Sequence, residues 1–174
     1  SFCTHNIQRR SCRICGKGTA FCPHQKQKDR CPECNPTGYQ ICRARGLIYK
    51  ALKRKGMVKN DRSLTLLGLD NWNQFQVYWQ GKIDAWNAMY PDHAIDATAG
   101  NYAVDHIKPV STFEPFEMDM ANHYTNLQPL PKDINLKKSN IWDWEDEKIW
   151  LRNIIYQEQN VAPYLPVDFD INAC

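Results

Sequence analysis

Apolar residues in the middle of the chain recur every three, four or seven positions, which is the spacing of one face of an α-helix. We predict a helix that starts from an N-cap at Asp70 and ends near Tyr90. Its apolar stripe comprises Trp72, Phe75, Trp79, Ile83 and Trp86. A stripe of this kind is typical of a helix that packs on a protein core, so we expect these side chains to be buried.

Three further segments have helical patterns. Cys42 to Lys55 predicts a basic amphipathic helix that stops at Gly56, and residues 63 to 68 predict a short helix that ends at Gly68. Trp142 to Gln157 predicts a helix with an acidic first turn, and its expected buried side comprises Ile149, Trp150, Ile154 and Ile155. Residues 160 to 174 have little periodicity and predict an extended tail.

Cysteine is concentrated at the amino terminus, where six of the eight cysteines belong to an internal repeat. Cys3, His5, Cys12 and Cys15 are followed nineteen residues later by Cys22, His24, Cys31 and Cys34 with the same internal spacing. Four soft ligands per unit match the four-coordinate preference of structural zinc, and the sequence predicts two such zinc sites.

Two alternatives concern these cysteines. Disulfides would suit a small secreted domain, but they would give no role to a histidine repeated at one offset. The ligands could also pair across the repeats, with the four Cys-x2-Cys thiolates in one site and Cys3, His5, Cys22 and His24 in the other; spacing does not distinguish the two pairings. Cys42 and Cys174 have no repeat partner, which favours ordinary thiols.

Charge is distributed as unevenly as cysteine. Residues 1 to 60 contain 14 Lys or Arg against 2 Asp or Glu, a balance of +12, whereas residues 61 to 174 contain 8 against 17, a balance of −9. A charge run is often only a solvated face, but basic side chains between fixed zinc ligands favour contact with the DNA backbone. The predicted DNA contacts are Arg9, Arg10, Arg13, Lys26, Lys28, Arg30, Arg43, Arg45, Lys50, Lys53, Arg54 and, further along the chain, Lys138.

A carboxylate, an imidazole and two carboxamides lie within about thirty residues of one another. They are Asp105 and His106 in YAVDHIKP, Asn126 in TNLQPL and Asn135 in KDINLKKSN. Adjacent side chains on a strand point to opposite faces, so Asp105 and His106 can serve one site only where a strand ends. Asn126 is suited to bracing a loop backbone, because its amide both donates and accepts hydrogen bonds.

These segments resemble the HNH motif of the ββα-metal endonucleases, most closely its Asp-His, Asn, Asn variant in phage and intron-encoded enzymes. The resemblance covers residues 101 to 140 and includes His-Ile-Lys-Pro, Asn-Leu-Gln-Pro-Leu and Asn-x-x-Lys-Ser. Many relatives carry a Cys-x-x-Cys pair around the motif for a structural zinc, and residues 101 to 140 contain no cysteine. The amino-terminal repeats would supply zinc support instead.

The resemblance implies an α+β fold with a ββα-metal core and surrounding helices, to which the repeats add a small amino-terminal zinc-binding module. It implies a metal-dependent DNA endonuclease that leaves 5′-phosphate and 3′-hydroxyl ends. His106 would be the general base, Asn126 would orient the loop, and Asp105 and Asn135 would hold Mg²⁺ or Mn²⁺. The alternatives are a non-catalytic zinc-dependent DNA-binding module and a zinc-scaffolded protein-interaction domain.

The expected organisation has four parts. Residues 1–42 form the zinc module, 43–100 a helical DNA-binding region, 101–158 the nuclease core with its carboxy-terminal helix, and 159–174 the tail. No run of eighteen apolar residues occurs, which argues against a membrane span. Reduced thiols and the lack of a signal peptide predict an intracellular setting, and the oligomeric state stays open.

Overall fold

Helices surround a two-stranded antiparallel sheet in the computed structural model, which describes residues 1–9, 12, 14–15, 20–156 and 164–172. The elements in chain order are α1 (Pro36–Arg54), α2 (Ser63–Leu67), α3 (Trp72–Met89), β1 (Tyr102–His106), α4 (Met118–Asn122), β2 (Leu127–Pro131), α5 (Lys132–Lys138) and α6 (Trp144–Tyr156). The predicted α+β class is confirmed. No helix in these ranges is both long enough and apolar enough to cross a membrane.

Helix α1 begins six residues before the predicted start at Cys42. The Asn35 side chain accepts a hydrogen bond from the Gly38 N–H at 2.8 Å, and Pro36 occupies the first helical position, where a missing N–H is harmless. The helix buries Ile48 and Leu52 against the core. The helix therefore crosses the predicted domain boundary between residues 42 and 43, and it connects the zinc-ligand repeats to the rest of the protein.

The two predicted central helices are confirmed, with one change at a cap. Gly68 ends α2 in the left-handed conformation, with φ of 69°. Asn71, and not Asp70, caps α3: its side chain accepts from the Gln74 N–H, and the Gln74 side chain accepts in return from the Asn71 N–H. The stripe on α3 is buried, apart from Trp72, which is half-buried.

The sheet lies against α1, α3 and α5. Strand β1 pairs with β2 so that Asp105 lies opposite Gln128 and His106 opposite Leu127. Helix α3 is tied to β2 because the Tyr78 hydroxyl donates to the Leu127 carbonyl at 2.9 Å. Helix α5 follows β2 directly and buries Ile134 beneath the strands. The two strands and α5 thus form a β-β-α unit, with α4 lying between the two strands along the chain.

Helix α6 and residues 164–172 pack together on the core. Trp150 is buried as predicted, but the prediction was wrong for Ile155, which is 72% exposed. Residues 164–172 form turns and pack back on the protein, since the Tyr164 hydroxyl donates to Asp146 at 2.8 Å. Gln157 lies outside the described residues.

Candidate functional site

A cavity of about 640 Å³ opens at the end of β1, between the last turn of α1 and helix α5. Asp105, His106 and Asn135 all line it. His106 is the last residue of β1, so the alternation of side chains ends there and the two neighbours reach one space. The structure therefore brings together three of the four residues that the sequence singled out, and Asn126 lies behind them.

The Asp105 carboxylate is held by two donors from the protein. Its Oδ2 accepts from Lys138 Nζ at 3.1 Å and from Gln128 Nε2 at 3.2 Å, and its side chain is 13% exposed. Burial raises the pKa of Asp105 above its ordinary value, while Lys138 and Gln128 act in the opposite direction. The carboxylate has a fixed orientation at the cavity wall, which suits a group that binds a cation.

Lys138 does not lie where the sequence predicted. It is fully buried, and its ammonium donates to Asp105 and, at 3.0 Å, to the His106 carbonyl. A fully buried and paired ammonium cannot reach a DNA phosphate, so the predicted DNA contact at Lys138 is wrong. Its position instead ties α5 to the end of β1 and fixes both the carboxylate and the backbone of the adjacent histidine.

His106 is a buried imidazole, only 7% exposed. Burial lowers its pKa to about 4, with Lys138 and Arg54 adding to the effect and Asn122 opposing it. The ring is therefore neutral near pH 7 and has a lone pair that can accept a proton. Its Nε2 is buried without a hydrogen-bond partner among the described residues.

Asn126 fastens the loop that follows His106. Its Oδ1 accepts from the Lys108 N–H at 2.9 Å, and its Nδ2 donates to the carbonyls of Lys108 at 3.2 Å and Ala121 at 2.9 Å. The side chain is 1% exposed, so water does not compete for these bonds. This is a bracing geometry, and it holds the two ends of the 108–121 segment together beneath the cavity.

Helix α5 brings Asn135 and Ser139 to the cavity. Asn135 is half-buried and lies on the cavity side of the helix. Ser139 follows the helix with φ of 46° and ψ of −119°, a backbone conformation that residues other than glycine rarely adopt. Strain of this kind tends to occur at functional sites, and here it lies at the cavity wall.

Sequence reasoning missed two supporting residues, Gln128 and Asn122, and assigned a different role to a third, Lys138. Gln128 and Lys138 hold Asp105, and Asn122 lies beside His106. Gln128 could have been found from the strand register, because it pairs directly across from Asp105. No pattern in the sequence marks Asn122 or the ion pair of Lys138.

The first amino-terminal repeat forms one cluster of four ligand atoms. Those of Cys3, His5, Cys12 and Cys15 lie within 4.8 Å of one another, and His5 Nδ1 is 3.2 Å from Cys15 Sγ, 3.6 Å from Cys12 Sγ and 3.9 Å from Cys3 Sγ. Tetrahedral zinc, with Zn–S of about 2.3 Å and Zn–N of about 2.0 Å, holds sulfur and nitrogen about 3.5 Å apart. The donor set and its spacing fit structural zinc.

The second repeat forms an equivalent cluster. Cys22, His24, Cys31 and Cys34 place their ligand atoms within 4.8 Å of one another, with His24 Nδ1 at 3.4 to 3.8 Å from the three sulfurs. Each repeat therefore gathers its own ligands, which selects pairing within the repeats over pairing across them. Two Cys₃His clusters that could hold structural zinc are present, and none of the cysteines in the described ranges forms a disulfide.

The two clusters differ in what supports the histidine. In the second, His24 Nε2 lies 3.0 Å from Glu33 Oε2, and Lys26 in turn lies 3.4 Å from Glu33 Oε1. A carboxylate on the far nitrogen fixes the ring and makes it a better ligand. In the first repeat the matching position is Ile14, which is 78% exposed and offers no such bond.

The basic residues predicted to contact DNA have different environments. Exposed members are Arg9, Lys26, Lys28, Arg30, Arg45, Lys50, Lys53 and Arg54. Arg43 is half-buried and donates to the Tyr39 hydroxyl at 3.2 Å, and Arg45 lies over the Trp72 ring at 5.0 Å. Arg10, Arg13 and Cys174 lie outside the described residues.

Comparison with known proteins finds no matching family model, no matching curated protein and no matching solved structure.

Proposed function

We propose that this chain is a metal-dependent DNA endonuclease of the HNH type, with a ββα-metal core. Its basic arm, residues 1–60, is organised by two structural zinc ions. The observation that carries the proposal is the convergence of Asp105, His106 and Asn135 on one cavity at the end of a β-β-α unit. The bracing contacts of Asn126 add support. An Asp-His pair without Asn135 and Asn126 around it would not indicate a nuclease site.

The oxygen donors at the cavity fit a hard divalent cation. Asp105 offers a carboxylate and Asn135 a carboxamide, and these are ligands that Mg²⁺ or Mn²⁺ accepts together with water and phosphate. Such an ion, when bound, supplies positive charge that stabilises the phosphate and the departing oxygen. In this proposal Lys138 and Gln128 keep the Asp105 carboxylate in position for it.

His106 accepts a proton from the attacking water, because the buried imidazole is neutral at physiological pH. The water oxygen forms a bond to phosphorus as the bond from phosphorus to the 3′ oxygen breaks. The 3′ oxygen takes a proton from solvent water and ends as a hydroxyl, His106 returns its proton to solvent, and the phosphate stays on the 5′ end. Asn126 holds the loop so that the ring of His106 does not move during this step.

The exposed basic residues favour DNA as the substrate over a protein partner. They run from the zinc clusters along α1, which ends at the cavity with Arg54. Each phosphate that they neutralise would release condensed counterion, so binding should weaken steeply with salt. An intact set of cavity residues favours the enzyme over a non-catalytic DNA-binding module with the same fold.

The test is cleavage of supercoiled plasmid in Mg²⁺, with the product ends sequenced. Wild-type protein should nick or cut, EDTA should stop the reaction, and His106→Ala should reduce the rate by at least about 10²-fold with little change in DNA affinity. Wild-type protein that binds DNA but leaves it intact would favour the non-catalytic module. Protein that neither binds nor cuts would favour a protein-interaction domain.

A further inference from the structure

The two Cys₃His repeats have matching backbones around their ligand clusters. The Cys3 N–H donates to the Ile7 carbonyl at 2.9 Å, and the Cys22 N–H donates to the Lys26 carbonyl at the same distance. One residue before each of these acceptors, the chain turns with φ of 56°. Equivalent positions of the two repeats therefore occupy equivalent places around the two clusters, and their side chains can be compared directly.

The repeats differ on the face beside the ligating histidine. In the second repeat, Glu33 accepts there from Lys26 at 3.4 Å and contacts the His24 ring at 3.0 Å. The equivalent positions in the first repeat are Ile7 and Ile14, which are 46% and 78% exposed. Single exposed apolar side chains are common on protein surfaces. Here two of them share the face on which the other repeat carries an ion pair.

Only positive charge accompanies this apolar face. Residues 1–20 contain four Lys or Arg and no Asp or Glu, whereas residues 21–34 contain three Lys or Arg and two Asp or Glu. Arg9 is exposed two positions after Ile7. An apolar face among positive charges would repel a second copy of the same module, and it complements a polyanion that also presents apolar groups. Duplex DNA is such a polyanion, because thymine presents its C5-methyl group in the major groove.

We propose that Ile7 and Ile14 contact the C5-methyl groups of thymine in the major groove of duplex DNA. This inference rests on DNA being the substrate in the proposed function. It adds a base preference to an arm whose lysines and arginines would hold phosphates of any sequence. Both isoleucines lie between ligands of the first cluster along the chain, so bound zinc would fix the backbone that carries them.

The experiment gives the first repeat the charged pair of the second. Ile7→Lys combined with Ile14→Glu leaves the net charge and all four ligands of the cluster unchanged. Val58→Lys combined with Val77→Glu is the matched control, because it makes the same exchange at two exposed aliphatic residues outside the repeats. Wild-type protein first selects a duplex from a randomised pool. The affinity of each full-length protein, loaded with zinc and without Mg²⁺, is then compared for that duplex with thymine and with uracil, which lacks only the C5-methyl group.

Wild type and the valine control should bind the thymine duplex about 10-fold more tightly than the uracil duplex, the effect expected for two buried methyl groups. The isoleucine variant should bind both duplexes equally, with the zinc content and salt dependence of wild type.

Two results would overturn the proposal: equal affinity of wild type for the two duplexes, or full thymine preference in the isoleucine variant. Cleavage in Mg²⁺ separates this contact from the proposed function. A wild type that prefers thymine but does not cut would overturn the endonuclease and leave the contact standing, and a wild type that cuts without any preference for thymine would do the reverse.

Discussion

Replacing Asn126 tests whether the loop after His106 depends on one buried amide. Asn126→Ala removes three hydrogen bonds, at 2.9, 3.2 and 2.9 Å, to the backbone of Lys108 and Ala121. The site is 1% exposed, so the released N–H and carbonyls are not freely rehydrated. An unsatisfied buried group destabilises by about 1–3 kcal/mol, and three such groups with partial relaxation give a loss of about 3–5 kcal/mol.

Asn126→Asp separates the donor from the acceptor role. The acid keeps an oxygen for the Lys108 N–H but directs its second oxygen at the carbonyls of Lys108 and Ala121. Repulsion and burial raise the pKa of the introduced carboxyl in the folded state, so the variant should lose least stability at low pH, where the carboxyl is protonated and can donate. Its stability relative to wild type should fall as the pH rises from about 5 to 8.

Urea titration followed by tryptophan fluorescence measures both effects, because Trp79 and Trp86 are fully buried. Asn73→Ala on the exposed side of α3 is the matched control and should change the free energy of unfolding by less than about 0.5 kcal/mol. The same samples should show plasmid cleavage reduced for Asn126→Ala, since a displaced loop moves His106. A loss below about 1 kcal/mol for Asn126→Ala would refute the bracing role.

Four further predictions concern the site and the amino terminus. Because burial lowers the pKa of His106 to about 4, its neutral form persists down to that pH, so the cleavage rate at pH 5.5 should stay within about twofold of the rate at pH 7; a tenfold drop in a pH–rate profile would indicate an ordinary histidine. Ser139→Gly should raise the free energy of unfolding by about 1 kcal/mol in urea titrations, because it relieves a strained φ of 46°. Glu33→Gln should weaken zinc binding by about 10–100-fold at the His24 cluster and leave the other cluster unchanged, as measured by chelator competition with metal counting. Replacing the exposed Lys26, Lys28 and Arg30 by alanine in the full chain should make the salt dependence of DNA binding shallower than that of wild type, and equal slopes in salt titrations would show that these residues do not touch DNA.

Local patterns in the sequence predict the helices well and their ends less well. The stripe on α3 and the glycine that ends α2 depend only on neighbours a few residues away, so period and cap chemistry are sufficient. The observed cap of α3 lies one residue after the predicted one. Asn71 and Asp70 are both good N-cap residues, and only the hydrogen bonds with Gln74 select between them. The exposure of Ile155 depends on whether another element covers that side of α6.

The candidate site shows the same division between local and long-range information. The residue types and the end of a strand predict that Asp105 and His106 share one space. Burial of Lys138 depends on an ion pair between residues 33 positions apart, and a lysine in a polar segment is expected to be exposed. The pairing of the zinc ligands also required three-dimensional distances. In the sequence, both pairings supply four Cys or His ligands to each ion.

Helix α1 sets a fixed length between the second Cys₃His cluster and the cavity. Its 19 residues extend about 28 Å, from Pro36, two residues after the last cluster ligand, to Arg54 at the cavity. At about 3.4 Å of rise per base pair, that length corresponds to about eight base pairs of DNA. In the proposed endonuclease, the basic arm and the cleavage site would then contact DNA at two points a fixed distance apart. For DNA aligned with α1, the proposed cut would fall within about one helical turn of the bases beneath the second cluster.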